Sequence, residues 1–203
     1  NISFNRIPVV IGARSIHARC GDLNGDGKPD LIVSEGGANG DDLFVLRNTS
    51  TGAGVFTFLN EPITLAGKKV KRTEISDLDN DGKPEIIVTN QTGNNVTVLV
   101  NESTAGAITF APTHLTFTIP DAASTDGLAV QDLDGDGLTD IVTSQFLTPT
   151  SNLYIFKNTS IPGNISMAPV ETIVHGGPIV NLKVGDLDGD EKPEIVTTQL
   201  LES

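Results

Sequence analysis

Four nine-residue windows hold the residues whose types and spacing can do chemistry. They read Asp22-Leu23-Asn24-Gly25-Asp26-Gly27-Lys28-Pro29-Asp30, Asp77-Leu78-Asp79-Asn80-Asp81-Gly82-Lys83-Pro84-Glu85, Asp132-Leu133-Asp134-Gly135-Asp136-Gly137-Leu138-Thr139-Asp140 and Asp186-Leu187-Asp188-Gly189-Asp190-Glu191-Lys192-Pro193-Glu194. Carboxylate or amide oxygens recur at positions 1, 3, 5 and 9 of every window. Held in one tight loop, such oxygens repel one another unless a cation sits among them. A hard divalent ion takes six to eight oxygens at about 2.3–2.6 Å, which a short loop can supply. Position 7 (Lys28, Lys83, Leu138, Lys192) adds a main-chain carbonyl. Glycine at position 6 of three windows provides positive φ, and proline at position 8 of three keeps residue 7 extended.

The donor set narrows the ion. Nitrogen and sulfur ligands are missing from the windows, which argues against zinc and copper. Magnesium prefers octahedral sites with retained water, so calcium fits better, with up to four ions. An EF-hand is excluded, because Val33, Val88, Thr143 and Thr197 stand where its twelfth-position Glu belongs. The plain alternative, a solvated Asp-Gly turn, does not need oxygens at alternating positions. The windows are not equal. Asn24 keeps an oxygen but loses a charge, Glu85 and Glu194 are one methylene longer than Asp, and Glu191 stands in place of glycine. The third loop is therefore expected to bind most tightly and the loop at 186–194 most weakly.

These windows also explain the overall charge. The chain has 203 residues, 13 Lys+Arg and 26 Asp+Glu, for a net −13. Sixteen of the acids and three lysines lie in the four windows, so the remainder is neutral. No basic face is left for nucleic acid. No run approaches the ~20 apolar residues of a membrane span, so direct insertion is not expected. One cysteine allows no intramolecular disulfide.

The elements that must position the windows form a repeat. Asp22, Asp77, Asp132 and Asp186 stand 55, 55 and 54 residues apart, a period typical of stacked or radial supersecondary units. Each unit opens with a short alternating segment (Ala18–Cys20, Thr73–Ile75, Leu128–Val130, Leu182–Val184), then the window, then a β-branched run (31–33, 85–88, 140–143, 194–197). A Gly/Asn/Pro-rich turn follows, then a run closing on asparagine (Leu43–Asn48, Val96–Asn101, Leu153–Asn158), then a weaker stretch (Phe56–Leu65, Ile108–Ile119, Ile165–Ile173). Helical periodicity is absent. The pattern predicts an all-β chain of β-propeller blades, each of four antiparallel strands, over residues 1–203. Ile2–Ile11 reads as the fourth strand of a blade and the sequence stops after the second strand of another. The expectation is a partial propeller: a section of a longer ring, or a piece completed by self-association or another chain.

The motif D-x-[DN]-x-D-G-x-x-[DE], followed by a β-branched strand, resembles the FG-GAP/VCBS repeat family of integrin α-subunit-like propellers. Gly185-Asp186-Leu187-Asp188-Gly189-Asp190 and Val98-Leu99-Val100-Asn101 carry the VCBS wording, and the resemblance runs along essentially the whole chain. It implies calcium between the first and second strands of each blade, in extracellular, cell-surface or periplasmic proteins that bind proteins or glycans. The function expected is a non-catalytic interaction or adhesion module. The alternative is a propeller domain of a polysaccharide-acting enzyme, which needs a basic or His cluster that the sequence does not show.

Other residues have simpler readings. Cys20 aligns with Ile75, Val130 and Val184 and is expected in the core. His17, His114 and His175 lie in non-equivalent contexts and form no motif. Lys68-Lys69-Val70-Lys71-Arg72 reads as a solvated strand start. Asn48, Asn95, Asn101, Asn158 and Asn164 each open an N-x-[ST] sequon, which suits a surface protein but equally suits strand ends.

Overall fold

The computed structural model describes residues 8–11, 15–35, 42–65, 69–120, 124–145 and 151–199. Among them there are fourteen strands and no helix. The first sheet, in order, is β1 (Ser15–Gly21), β2 (Asp30–Glu35), β3 (Asp42–Asn48) and β4 (Phe58–Thr64). The second is β5 (Val70–Ser76), β6 (Glu85–Asn90), β7 (Asn95–Leu99) and β8 (Leu115–Thr118). The third is β9 (Thr125–Gln131), β10 (Asp140–Gln145), β11 (Asn152–Phe156) and β12 (Glu171–Val174). The fourth holds β13 (Ile179–Gly185) and β14 (Glu194–Gln199). Every pairing is antiparallel between sequence neighbours, the up-and-down order of a propeller blade.

The blades stack through their two faces. In β6 and β7 every residue is buried, because a middle strand has a neighbouring blade on both sides; hence the unbroken Ile86-Ile87-Val88 run. Alternate residues go to opposite neighbours. Ile86 and Val88 join Leu23, Ile32 and Val45 of the first blade, whereas Ile87, Val96 and Val98 join Leu128, Ile141 and Tyr154 of the third. A third cluster, around Val142, Leu153, Ile179 and Leu182, joins blades three and four. Burying each such Leu or Ile contributes about 1.5–3 kcal/mol, so a polar residue at Ile87 would open two blades from each other.

The innermost strands run in series, β1 against β5, β5 against β9 and β9 against β13. Among the described residues no comparable packing joins β13 back to β1, so the blades form an open array and not a closed barrel. Ion pairs cross the inner seams. Arg19 pairs with Glu74, and Arg72 Nε donates to Asp126 at 2.8 Å. Arg72 is thus engaged with the next blade, not merely solvated as its basic neighbourhood had implied.

Three sequence readings change. Cys20 is exposed, not buried. Ile75, Val130 and Val184 pack against a preceding blade, whereas on the same face of blade one Ile11, Leu31 and Phe58 lean on Val33, Phe44 and Leu46, with no preceding blade among the described residues. Of the stretch 2–11 only residues 8–11 are described, and they form no strand. The fourth stretches are strand only in their later part in blades two and three. Their earlier halves run back beside the third strand through single bridges, Asn101 to Phe110 and Asn158 to Met167. The Gly36–Gly40 and Thr148–Thr150 turns and Lys68 lie outside the described residues.

Candidate metal centre

Each acidic window is the connection between the first and second strands of its blade. The register is the same four times: Gly21 pairs with Asp30, Ser76 with Glu85, Gln131 with Asp140 and Gly185 with Glu194. Position 9 is therefore the first residue of the second strand, and positions 1 to 8 form the loop.

The acids wind the loop around themselves. Asp22 accepts the Gly25 amide at 2.8 Å and the Gly27 amide at 2.7 Å; Asp77 accepts those of Asp81 and Gly82; Asp132 those of Gly135 and Gly137; Asp186 those of Gly189 and Glu191. Position 3 (Asn24, Asp79, Asp134, Asp188) accepts the amide of position 5. Position 5 (Asp26, Asp81, Asp136, Asp190) accepts that of position 7, namely Lys28, Lys83, Leu138 and Lys192. These Asx turns fold each loop back over its own acids. The expected positive φ appears at position 6, including 68° at Glu191. It appears also at position 4, at Gly25, Asn80, Gly135 and Gly189, a requirement the sequence signals only by using glycine or asparagine there.

Three oxygens meet in three of the loops. Asp77, Asp79 and Glu85, then Asp132, Asp134 and Asp136, then Asp186, Asp188 and Glu194, each bring carboxylate oxygens within 4.8 Å of one another. In loop one Asn24 takes the place of one acid, and Asp22, Asp26 and Asp30 form no such group among the described residues.

Position 9 does more than the spacing implied. Asp30 is buried and accepts the amides of Leu23 at 3.0 Å and Asn48 at 2.8 Å, one on each oxygen. Glu85 does the same with Leu78 and Asn101, and Asp140 with Leu133 and Asn158. Glu194 takes the Leu187 amide at 2.8 Å. The residue closes the loop and ties it to the third strand, and each oxygen keeps a lone pair for an ion. Burial raises the pKa of Asp30 and Asp140 and pushes that of Glu85 up to about 7, against the pull of its two amides and with Asp79 and Asp77 adding repulsion. A desolvated carboxylate beside like charges is the electrostatic signature of a place for a cation. The all-oxygen donor set fits a hard one.

Loop three already has a cation beside it. The Lys157 ammonium pairs with Asp134 and lies 3.5 Å from Asp136, which holds Asp134 below and Lys157 above their usual pKa ranges.

The following blade completes loops one and two. Asn101 donates from its side chain to Leu23 O at 2.8 Å and to Pro84 O at 2.8 Å; Asn158 donates to Leu78 O at 2.7 Å and Thr139 O at 2.9 Å. Gly163 N, in the next hairpin, donates to Asp79 at 2.7 Å. Cover falls away along the array. Leu23 and Leu78 are buried, Leu133 is half-buried, and Leu187 is 71% exposed. Sequence reasoning left these asparagines as ordinary strand ends. Their recurrence sixteen to eighteen residues after position 9 was the available signal. Asn101 and Asn158 are buried with both amide hydrogens engaged, so neither offers a glycosylation site in the folded chain.

His17 Nδ1 accepts the Thr73 amide at 3.3 Å, and His175 Nε2 lies 2.8 Å from Thr197 Oγ1.

Comparison with known families matches residues 21–55 to the FG-GAP repeat and residues 77–143 to the FG-GAP-like repeat. Comparison with curated proteins finds no match. The two matched stretches contain loops one, two and three with all or part of the strand that follows each, and together they span about half of the sequence. With its repeated blades and first-to-second-strand acidic loops, the chain belongs to the FG-GAP/VCBS repeat proteins.

Proposed function

We propose that this chain is a calcium-binding, non-catalytic propeller module that serves protein or glycan recognition outside the cell. The observation that carries the metal assignment is loop two, where Asp77, Asp79 and Glu85 converge within 4.8 Å while burial holds Glu85 near pKa 7. A calcium ion there would be held by Asp77, Asp79, Asp81 and Glu85 with the Lys83 carbonyl. Its counterparts would use Asp22, Asn24, Asp26, Asp30 and Lys28; Asp132, Asp134, Asp136, Asp140 and Leu138; and Asp186, Asp188, Asp190, Glu194 and Lys192. The ion supplies positive charge, replacing repulsion among the acids with attraction, and so staples the first hairpin of the blade.

FG-GAP repeats generally serve as non-catalytic interaction modules and typically occur in extracellular proteins, which supports the recognition role and the location. No helix among the described residues is long and apolar enough to cross a membrane. The melting temperature measured with millimolar calcium and with EDTA tests the assignment. Calcium is expected to raise it clearly and to give binding heats for no more than four ions. Identical melts together with a flat calorimetric trace overturn it.

A further inference from the structure

Loop two is walled by more than its own nine residues. Asn158, at the end of the third strand of the next blade, is 1% exposed. Its side-chain amide divides two hydrogens between Leu78 O in loop two at 2.7 Å and Thr139 O in loop three at 2.9 Å. Its Oδ1 accepts the Ser160 amide at 2.9 Å, which fixes the rotamer. Asn101 repeats the arrangement one blade earlier, with Leu23 O in loop one and Pro84 O in loop two, and its Oδ1 takes the Ser103 amide. Asn48 has the same turn to Ser50 and the same bond to its own loop, Pro29 O at 2.9 Å. Among its described bonds, none reaches another blade. The three asparagines therefore form a matched set in which one lacks the cross-blade bond.

We propose that Asn101 and Asn158 are positioning residues that hold the metal loop of the preceding blade in its ligand-converging shape, so that each of these sites is built by two blades. The inference rests on the calcium reading above. Its physical basis is local. The carbonyl that each asparagine captures belongs to position 2, between the acids at positions 1 and 3. Anchoring that peptide opposes the outward drift that mutual repulsion would impose on both. Partners one shell out from a metal commonly change its affinity by about 10–100-fold. Coupling runs from each blade toward the preceding one, because the third strand of a blade meets the loop of its predecessor.

The amides of Gly27, Gly82 and Gly137 report loops one, two and three in a nitrogen-15 NMR titration of the whole chain with calcium chloride. Asn158→Ala is expected to weaken the Gly82 and Gly137 midpoints by about tenfold and to leave Gly27 in place. Asn48→Ala is expected to move Gly27 alone. An unchanged Gly82 midpoint in Asn158→Ala, or an equal shift of all three glycines, overturns the proposal. Asn158→Asp, which keeps the Ser160 turn and loses both donors, serves if the alanine variant does not fold. If wild-type glycine amides ignore calcium, the calcium reading falls, and metal-free hydrogen exchange still decides the latch. Gly82 N, which donates to Asp77, is then expected to exchange faster in Asn158→Ala than in Asn48→Ala, and equal rates overturn it.

Discussion

One oxygen of the Glu85 carboxylate accepts the Leu78 amide at 2.9 Å, so the last residue of loop two is bonded to its second. The other oxygen takes the Asn101 amide, and the side chain is 1% exposed. Burial raises its pKa from 4.5 to about 7. A group whose folded pKa is raised contributes stability that is fully present below the unfolded value and lost as pH rises through the folded one. Relative to Glu85→Gln, metal-free wild type is therefore expected to lose stability between about pH 4.5 and 7.5. Urea midpoints for the pair across that range check it. A difference independent of pH would contradict the burial of a charge at Glu85.

Glu191 adopts a φ of 68°, where the matching residues of the other loops are Gly27, Gly82 and Gly137. The left-handed region costs a side-chain-bearing residue about 1–2 kcal/mol. Glu191→Gly should therefore stabilise the metal-free protein by up to about 1 kcal/mol, after the extra freedom of glycine in the unfolded chain is subtracted. Gly137→Ala should move the melting temperature the opposite way. A lower melting temperature for Glu191→Gly would show that Glu191 makes a compensating contact.

Lys157 stands as a built-in counter-ion to Asp134 and Asp136. A metal ion entering loop three has to displace its ammonium, which counts against the ranking of that loop as the tightest. Lys157→Gln is expected to tighten calcium binding at loop three and to leave loops one and two unchanged, read from the Gly137, Gly82 and Gly27 amides. Unaltered binding at Gly137 would mean the lysine swings away at no cost.

Cys20 is exposed at the position of blade one that half-buried Ile75 occupies in blade two. Native protein should release one equivalent of thionitrobenzoate from Ellman's reagent at the rate of an open thiol. A reaction limited by unfolding, and accelerated by urea, would place that thiol under cover.

The acids at positions 1, 3 and 5 and the glycines at position 6 were legible in the sequence because their geometry is local: each Asx turn closes within five residues. The middle strands were legible for the opposite reason, since burial on both faces leaves an apolar run such as Ile86-Ile87-Val88. What escaped was set by distant contacts. Asn158 meets Leu78 across eighty residues, and no local pattern distinguishes that bond from a strand end. Cys20 was misplaced because alignment with Ile75 reports the kind of position and not whether a neighbouring blade covers it. Glu85 read as the last ligand of a motif, and nothing in the spacing signalled that its oxygens also accept the Leu78 and Asn101 amides, 7 and 16 residues away.

The period of the sequence and the period of the working unit are out of phase. Loop two draws on residues from Asp77 to Gly163, well beyond one 55-residue repeat. Cutting out a single repeat for transplantation would deliver a loop without its lid and a lid without its loop. The smallest portable piece is a repeat together with the third strand and hairpin of its successor. By the same logic, a variant scored against the repeat in which it falls will often have its effect in the one before.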